Sequence, residues 1–211
     1  TGGEKQMAIL RQIPKVLKFI PGKAQDLRAY FLSMQYWLAG SEENIESLFC
    51  YLLSRYSSLH NSSKVEIKSP VEYPETGLYH PDIPKKITEN ISEIPFAKHS
   101  IGTVGLLLMR SYVLSGDTAH YDQVIRSLEA QGLKVIPAFA AGLDARPAIN
   151  KYFVHNAKAS IDTFLSLTGF SLVGGPAYNS SKAAEEALAE LDVPYIAAHA
   201  IEFQNLNQWD K

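Results

Sequence analysis

Thr103-Val104-Gly105-Leu106-Leu107-Leu108-Met109 is an unbroken apolar run. A strand with one wet face alternates apolar and polar side chains, whereas a continuous run marks a parallel strand covered on both faces. Downstream of it, Ser115-Gly116-Asp117 makes a loop. A helix follows with Tyr121, Val124, Ile125 and Leu128 on one face, and Gly132 stops it. Lys134-Val135-Ile136-Pro137-Ala138-Phe139 is a second strand, and Pro147 suits the first turn of a helix holding Ile149, Tyr152 and Phe153. Ile161 to Leu167 is a third strand. Gly174-Gly175-Pro176 leads to a helix from Ser181 to Leu191, and Pro194-Tyr195-Ile196-Ala197-Ala198 is a fourth strand. This alternation predicts an α/β domain over residues 101–211: a flavodoxin-like or Rossmann-like parallel sheet with helices on both faces and right-handed crossovers.

Upstream, residues 1–58 read as a helical subdomain. Leu27, Tyr30, Phe31, Met34, Trp37 and Leu38 recur at helical spacing and fall on one face. Gly40 breaks that helix, and Ser41 caps the next, whose first turn carries Glu42 and Glu43 where the helix dipole favours acids. The apolar face of this second helix is Ile45, Leu48, Phe49, Leu52 and Tyr56. A shorter helical segment, Met7 to Ile20, is disturbed by Pro14 and stopped at Pro21-Gly22. Between helices and sheet, residues 59–100 contain Pro70, Pro74, Pro81, Pro84 and Pro95, and read as a connecting segment, mostly irregular. Val65-Glu66-Ile67 is the one short strand expected there.

The 211 residues are 46% hydrophobic and 20% charged, an ordinary globular composition with net charge −2. Residues 1–100 carry 12 basic and 11 acidic side chains and the remainder 8 and 11, so neither half has the electrostatic footprint of a nucleic-acid or anionic-membrane binder. Lys15, Lys18 and Lys23 read as a solvated helix face. The single cysteine, Cys50, rules out an intramolecular disulfide framework and a Cys-rich metal site, and nothing beside it stabilises a thiolate. No apolar stretch is long enough to span a membrane. Thr1-Gly2-Gly3-Glu4-Lys5-Gln6 is no signal peptide. The abrupt ends lead us to expect a piece of a longer protein.

Tyr178-Asn179-Ser180-Ser181-Lys182 is a Tyr-x-x-x-Lys, the spacing with which short-chain reductases lower a phenol pKa for proton transfer, and Ser166 lies upstream as a third member. An NAD(P)-dependent reductase also needs a Gly-rich turn after its first strand. Gly102-x-x-Gly105 and Ser115-Gly116 do not supply that spacing, so a capping serine and a solvated lysine is the favoured reading. Gly174-Gly175 reads as a sharp turn rather than an anion cradle. Asp117, Asp144 and Asp162 form no spaced ligand set, and Asp117 reads as a cap. Neither a Gly-x-Ser-x-Gly elbow nor a Walker A loop occurs. Among His60, His80, His99, His120, His155 and His199 no pair has helical zinc spacing. His80 stands out, set between Tyr79 and Pro81: an aromatic and an imidazole held by proline on a loop could face a planar ligand or a metal, but a structural role, with the imidazole bonded to a backbone carbonyl, is the favoured reading.

Several stretches together resemble one family. Ile13-Pro14-Lys15-Val16-Leu17-Lys18-Phe19-Ile20-Pro21, Lys23-Ala24-Gln25-Asp26, Tyr36-Trp37-Leu38-Ala39-Gly40-Ser41 and Thr76-Gly77-Leu78-Tyr79-His80-Pro81 resemble the large (H) subunit of magnesium chelatase. So do Ser115-Gly116-Asp117 with His120-Tyr121, Leu167-Thr168-Gly169-Phe170, Leu172-Val173-Gly174-Gly175-Pro176-Ala177 and Leu191-Asp192-Val193-Pro194-Tyr195, in the family's order across nearly the whole chain. The cobaltochelatase large subunit is a more distant relative, sharing mainly the Gly-x-Tyr-His-Pro segment.

The resemblance implies an internal segment of a much longer subunit that binds protoporphyrin IX and hosts Mg2+ insertion for chlorophyll or bacteriochlorophyll synthesis. AAA+ I and D partner subunits hydrolyse ATP to drive the step. It implies the cytoplasm of a photosynthetic bacterium, or the chloroplast stroma. The family's His-x-x-Thr-His-Gly-x-x-Glu segment is absent, so no catalytic residue carries over, and the segment is expected to be a scaffold binding no cofactor itself. Tyr178-Asn179-Ser180-Ser181 departs from the more basic run of many plant members, which leaves the pigment branch open. Tyr79 and His80 are the porphyrin-contact candidates: a loop position would leave an aromatic face and an imidazole free, and stacking on a flat ring contributes about 1 kcal/mol.

Overall fold

The computed structural model describes residues 12–57, 67–175, 178–199 and 206–210. The chain divides into two units, Thr1–Tyr73 with Leu114–Gly116, and Pro74–Val113 with Asp117–Lys211.

In the first unit, helical residues 12–17 (α1) precede α2 (Ala24–Ala39) and α3 (Glu42–Tyr56). Residues 7–11 of the expected first helix, and Val65 and Glu66 of the expected strand, lie outside the described residues. Gly40 ends α2 in the left-handed region at φ 65°, a conformation that glycine adopts without a Cβ clash. Ser41 caps α3 as expected, its side chain accepting from the Asn44 amide. Asn44 is buried and fully engaged. Its Nδ2 donates to Val71 O and its Oδ1 accepts from Val71 N, both at 2.9 Å, so this one amide pairs with backbone as a neighbouring strand would. With Tyr36 Oη donating to Lys68 O at 2.6 Å, it fastens residues 68–71 to the helices.

The second unit is a six-stranded mixed sheet. Its strands are β1 (Thr76–Tyr79), β2 (Ile87–Thr88), β3 (Gly102–Met109), β4 (Leu133–Ala140), β7 (Thr163–Ser166) and β10 (Tyr195–Ala197), in the order β10-β7-β3-β4-β1-β2. The runs at 103–109 and 134–139 pair in parallel, Gly102 opposite Leu133 through Met109 opposite Ala140. β7 lies parallel on the other side of β3, and β10 parallel to β7. Ranked by chain position, the four parallel strands run 2-1-3-4, the start of the flavodoxin-like order.

Side chains alternate between two cores. Leu107, Ile136, Ala138 and Phe164 face α6 (Arg146–Tyr152) and α7 (Ser181–Leu191) through Ala148, Ile149, Tyr152 and Leu191. Leu106, Leu108, Val135 and Phe139 face α4 (Arg110–Ser115) and α5 (Ala119–Ala130) through Val113, Tyr121 and Ile125. Helices therefore cover both faces, the arrangement that an uninterrupted apolar strand requires. The N-cap position of α5 is Thr118, not Asp117, which is exposed one residue earlier.

The Pro-punctuated stretch is more than a connection. β1 pairs antiparallel with β4, Thr76 opposite Ala140 and Leu78 opposite Ala138, and β2 pairs antiparallel with β1. The sheet is thus parallel in four strands and antiparallel at one edge. Two small hairpins stand outside it, β5 (Val154–His155) with β6 (Lys158–Ala159), and β8 (Gly174–Gly175) with β9 (Tyr178–Asn179). A single-turn helix, α8 (Leu206–Trp209), follows β10. Among the described residues no helix is long and apolar enough to cross a membrane.

Candidate functional site

The residues singled out in Gly77-Leu78-Tyr79-His80-Pro81 do not stand free on a loop. Tyr79 ends β1, His80 follows it, and each is 1% exposed. Tyr79 Oη donates to Asp122 Oδ1 at 2.6 Å. The Asp82 amide donates to His80 Nδ1 at 3.1 Å, which makes Nδ1 the acceptor and gives the ring proton to Nε2, 3.1 Å from Glu129 Oε1. Asp82 in turn takes Arg126 in a two-pronged pair at 2.7 and 3.3 Å. Asp122, Arg126 and Glu129 stand at i, i+4 and i+7, one stripe of α5. The segment 79–82 is therefore clasped to a single helix face by three side-chain pairs. The expected free aromatic face and free imidazole are both occupied.

Burial, and then donation to Asp122, push the Tyr79 hydroxyl up from 10.0 to about 12. A group whose folded pKa is raised contributes stability that is complete below its unfolded pKa and is lost as pH climbs through the folded value. Tyr79→Phe is expected to cost about 1.5–2 kcal/mol near neutrality, because Asp122 loses its donor. That cost should shrink as pH rises from 10 towards 12. Urea midpoints of both proteins across this range check it, and a gap that stays constant at alkaline pH contradicts it.

A second concentration of polar groups lies at the carboxyl ends of the parallel strands, where sheets of this order form their crevice beside the first strand. Leu167-Thr168-Gly169-Phe170 leaves β7 there, with Ser166 Oγ and Thr168 Oγ1 3.1 Å apart. The loop after β4 is joined to it, Ala145 N donating to Leu172 O and Gly174 N to Leu143 O, both at 2.8 Å. At the end of β3, Arg110 Nε donates to Pro74 O at 3.0 Å, and burial holds its pKa below the usual guanidinium range. Asp144 is bound by Arg146 at 2.6–3.1 Å, and this contact holds its carboxyl below the usual carboxylate range. Asp162 accepts from Thr103 N at 2.6 Å, at the other end of the sheet. Among the described residues no three His, Cys, Asp or Glu side chains are grouped to hold a metal ion.

The reductase constellation is not assembled. Tyr178 lies in β9, Ser180 is the N-cap whose side chain accepts from Ala183 N, and Lys182 sits in the first turn of α7. Tyr178 precedes the N-cap, so it and Lys182 are not spaced along one helix. The Lys182 side chain is 86% exposed, 4.0 Å from Glu186. Gly174-Gly175 is one arm of a hairpin rather than a helix N-terminus. Cys50 is half-buried on α3. His60 lies outside the described residues, and His99, His120, His155 and His199 are exposed.

A cavity of about 720 Å³ in the first unit has no signal in the local sequence. Lys15, Lys18, Arg28, Phe19 and Leu32 line it, with Glu72 the one carboxylate. Its cationic balance suits an anionic guest.

Comparison with known proteins agrees with this architecture. The CobN/Magnesium Chelatase family matches residues 34–211, and a domain of unknown function (DUF3479) matches residues 1–31. The chain is 60% identical to the magnesium-chelatase H subunit of Cereibacter sphaeroides over 207 residues, and 59% to that of Rhodobacter capsulatus over 206, each match covering 98% of this chain. The chloroplastic magnesium-chelatase ChlH protein of Oryza sativa is 36% identical over 220 residues. The chain spans 17% of the length of the two bacterial subunits and 16% of the rice protein. A catalytic subunit of cobaltochelatase from Mycobacterium tuberculosis shares the fold, with TM-score 0.54 and 19% identity over 86% of this chain and 14% of that one. A family match over residues 34–211, together with 60% identity to a magnesium-chelatase H subunit across 98% of the sequence, makes this chain a member of the CobN/magnesium chelatase family.

Proposed function

We propose that the chain is one segment of the H subunit of a magnesium chelatase, the large subunit on which Mg2+ is inserted into protoporphyrin IX. The 60% identity to a magnesium-chelatase H subunit, running through 98% of the chain, carries this reading. In it, Mg2+ and porphyrin are substrates, and ATP is hydrolysed on AAA+ I and D partners. This segment is a scaffold without activity alone, since the family's His-x-x-Thr-His-Gly-x-x-Glu segment is not in its sequence. The higher identity to the Cereibacter and Rhodobacter subunits than to the rice protein supports a bacterial cytoplasm over a chloroplast stroma. Tyr79 and His80 serve here as the clasp between β1 and α5, and would reach a tetrapyrrole only after the clasp opens.

The test compares two polypeptides with I and D partners, ATP, Mg2+ and protoporphyrin IX. The full-length polypeptide is expected to shift the Soret band to that of the magnesium porphyrin, and the 211-residue chain to leave it unmoved. No insertion by the full-length protein would sink the reading, and insertion by the short chain would sink the scaffold claim.

A further inference from the structure

Helix α2 is amphipathic with its apolar side turned to solvent. Leu27, Tyr30, Met34, Trp37 and Leu38 fall within an arc of about 100° at helical periodicity, and they are 49%, 59%, 37%, 64% and 55% exposed. The opposite side holds the buried Ala29 and Tyr36, while Arg28, Leu32 and Gln35 line the cationic cavity. An isolated exposed leucine needs no explanation, but five large apolar side chains in register on one helix do. On α3, Phe49, Leu53 and Tyr56 repeat at i, i+4 and i+7 and are 60%, 59% and 59% exposed. Tyr56 Oη donates to Asp26 Oδ1 at 3.2 Å, on the border of the α2 stripe, so the two stripes meet at that end.

A lipid surface is a poor match. Interfacial helices border their apolar face with lysine and arginine. The one basic residue within α2 is Arg28, on the cavity side, its Nε donating to Pro14 O. What remains is protein, and the relatives indicate its source: this chain accounts for 17% of the length of a related H protein, so most of such a polypeptide lies beyond these residues.

We propose that the joined stripes of α2 and α3 form an interdomain face, covered by an apolar surface from another region of the same long polypeptide. This rests on the reading of the chain as a segment of a chelatase large subunit. It also accounts for a helix whose polar side faces inward: both sides of α2 are interior once the remaining chain is in place.

Hydroxyl-radical footprinting of the full-length subunit, purified alone, tests this through Met34 and Trp37. Both are expected to oxidise roughly 10-fold more slowly than in the same protein unfolded in urea, with protection unchanged on serial dilution. Solvent-like oxidation overturns the proposal. So does protection that vanishes on dilution, which would mean a second copy covers the face, or protection that appears only when partner subunits are added. Leu38→Glu, at a position already in solvent within this unit, is expected to raise Met34 oxidation several-fold in the full-length protein, and no change would count against the proposal. The intact mass is read from the same sample. A native polypeptide near 23.4 kDa would remove the segment reading itself, whereas a long polypeptide with freely oxidised Met34 and Trp37 would remove the interdomain face alone.

Discussion

Phe164→Ala is expected to destabilise the sheet unit by about 3–5 kcal/mol, a large share of the roughly 5–15 kcal/mol that holds a domain folded. Phe164 sits in β7 opposite Gly105 of β3 on one side and Tyr195 of β10 on the other, and is 0% exposed. Its ring meets Phe153 edge-on at 5.3 Å and Tyr195 at 5.1 Å. Gly105 has no side chain to move into the vacated space. A Cβ there would already lie 2.8 Å from Ile161 Cδ1 and 3.1 Å from the Phe153 ring, so these groups are packed down onto bare backbone. The cavity left by alanine is bounded by two strands and a fixed ring and has little means of collapse, which puts the cost high in the range. Urea denaturation followed by circular dichroism measures it. Ile196→Ala on the neighbouring strand, where the side chain is 54% exposed, is the control and should stay within about 0.5 kcal/mol. A Phe164→Ala cost below about 1 kcal/mol would mean that the core at this position is not as described.

Gly77→Ala is expected to cost about 2–3 kcal/mol, through overpacking rather than loss. Gly77 pairs with Phe139 across β1 and β4, and a Cβ on it would lie 2.5 Å from Phe139 Cζ and 3.0 and 3.2 Å from the two Cε atoms. Phe139 is 0% exposed and packed with Tyr121, Ile125 and Val135, so its ring cannot step aside. The added methyl must lift β1 from β4, and β1 runs directly into the Tyr79 and His80 clasp. The signature is non-additivity. In a Phe139→Leu background the far edge of the ring is gone, and Gly77→Ala should cost clearly less than in the parent protein. Equal costs in both backgrounds would place the strain elsewhere.

These positions also show what could be read in the sequence. β3 and β4 were legible because burial on two faces leaves a run of apolar residues with no other common cause. α7 was legible from end to end, with serine at its start and the apolar spacing of Ala187 and Leu191 inside it. β1 was not. It is four residues long, set among prolines, and its partner strand lies some sixty residues later, so no local pattern announces the pairing. The expectation that a loop leaves the Tyr79 ring and the His80 imidazole free fails, and the structural role favoured for His80 agrees with its bonds to Glu129 and the Asp82 amide. The side-chain partners of these two residues, Asp122 and Glu129, are 43 and 49 residues away in sequence and become neighbours only when the sheet places α5 over β1. The α2 stripe was read correctly as a face. Helical periodicity reports that a face exists and says nothing about what covers it.

The antiparallel edge has a consequence in time. Thr76 leaves the ribosome 64 residues ahead of its pairing partner Ala140. At about 5–20 residues per second, the newly made β1 waits on the order of 3–13 s before β4 exists to receive it. During that interval Leu78 and Tyr79, among the most deeply buried side chains of the finished sheet, have no place to go. The prolines on either side of this strand, Pro74 and Pro81, are then useful for a second reason: they deny the waiting segment the long regular edge on which nascent chains stick to one another.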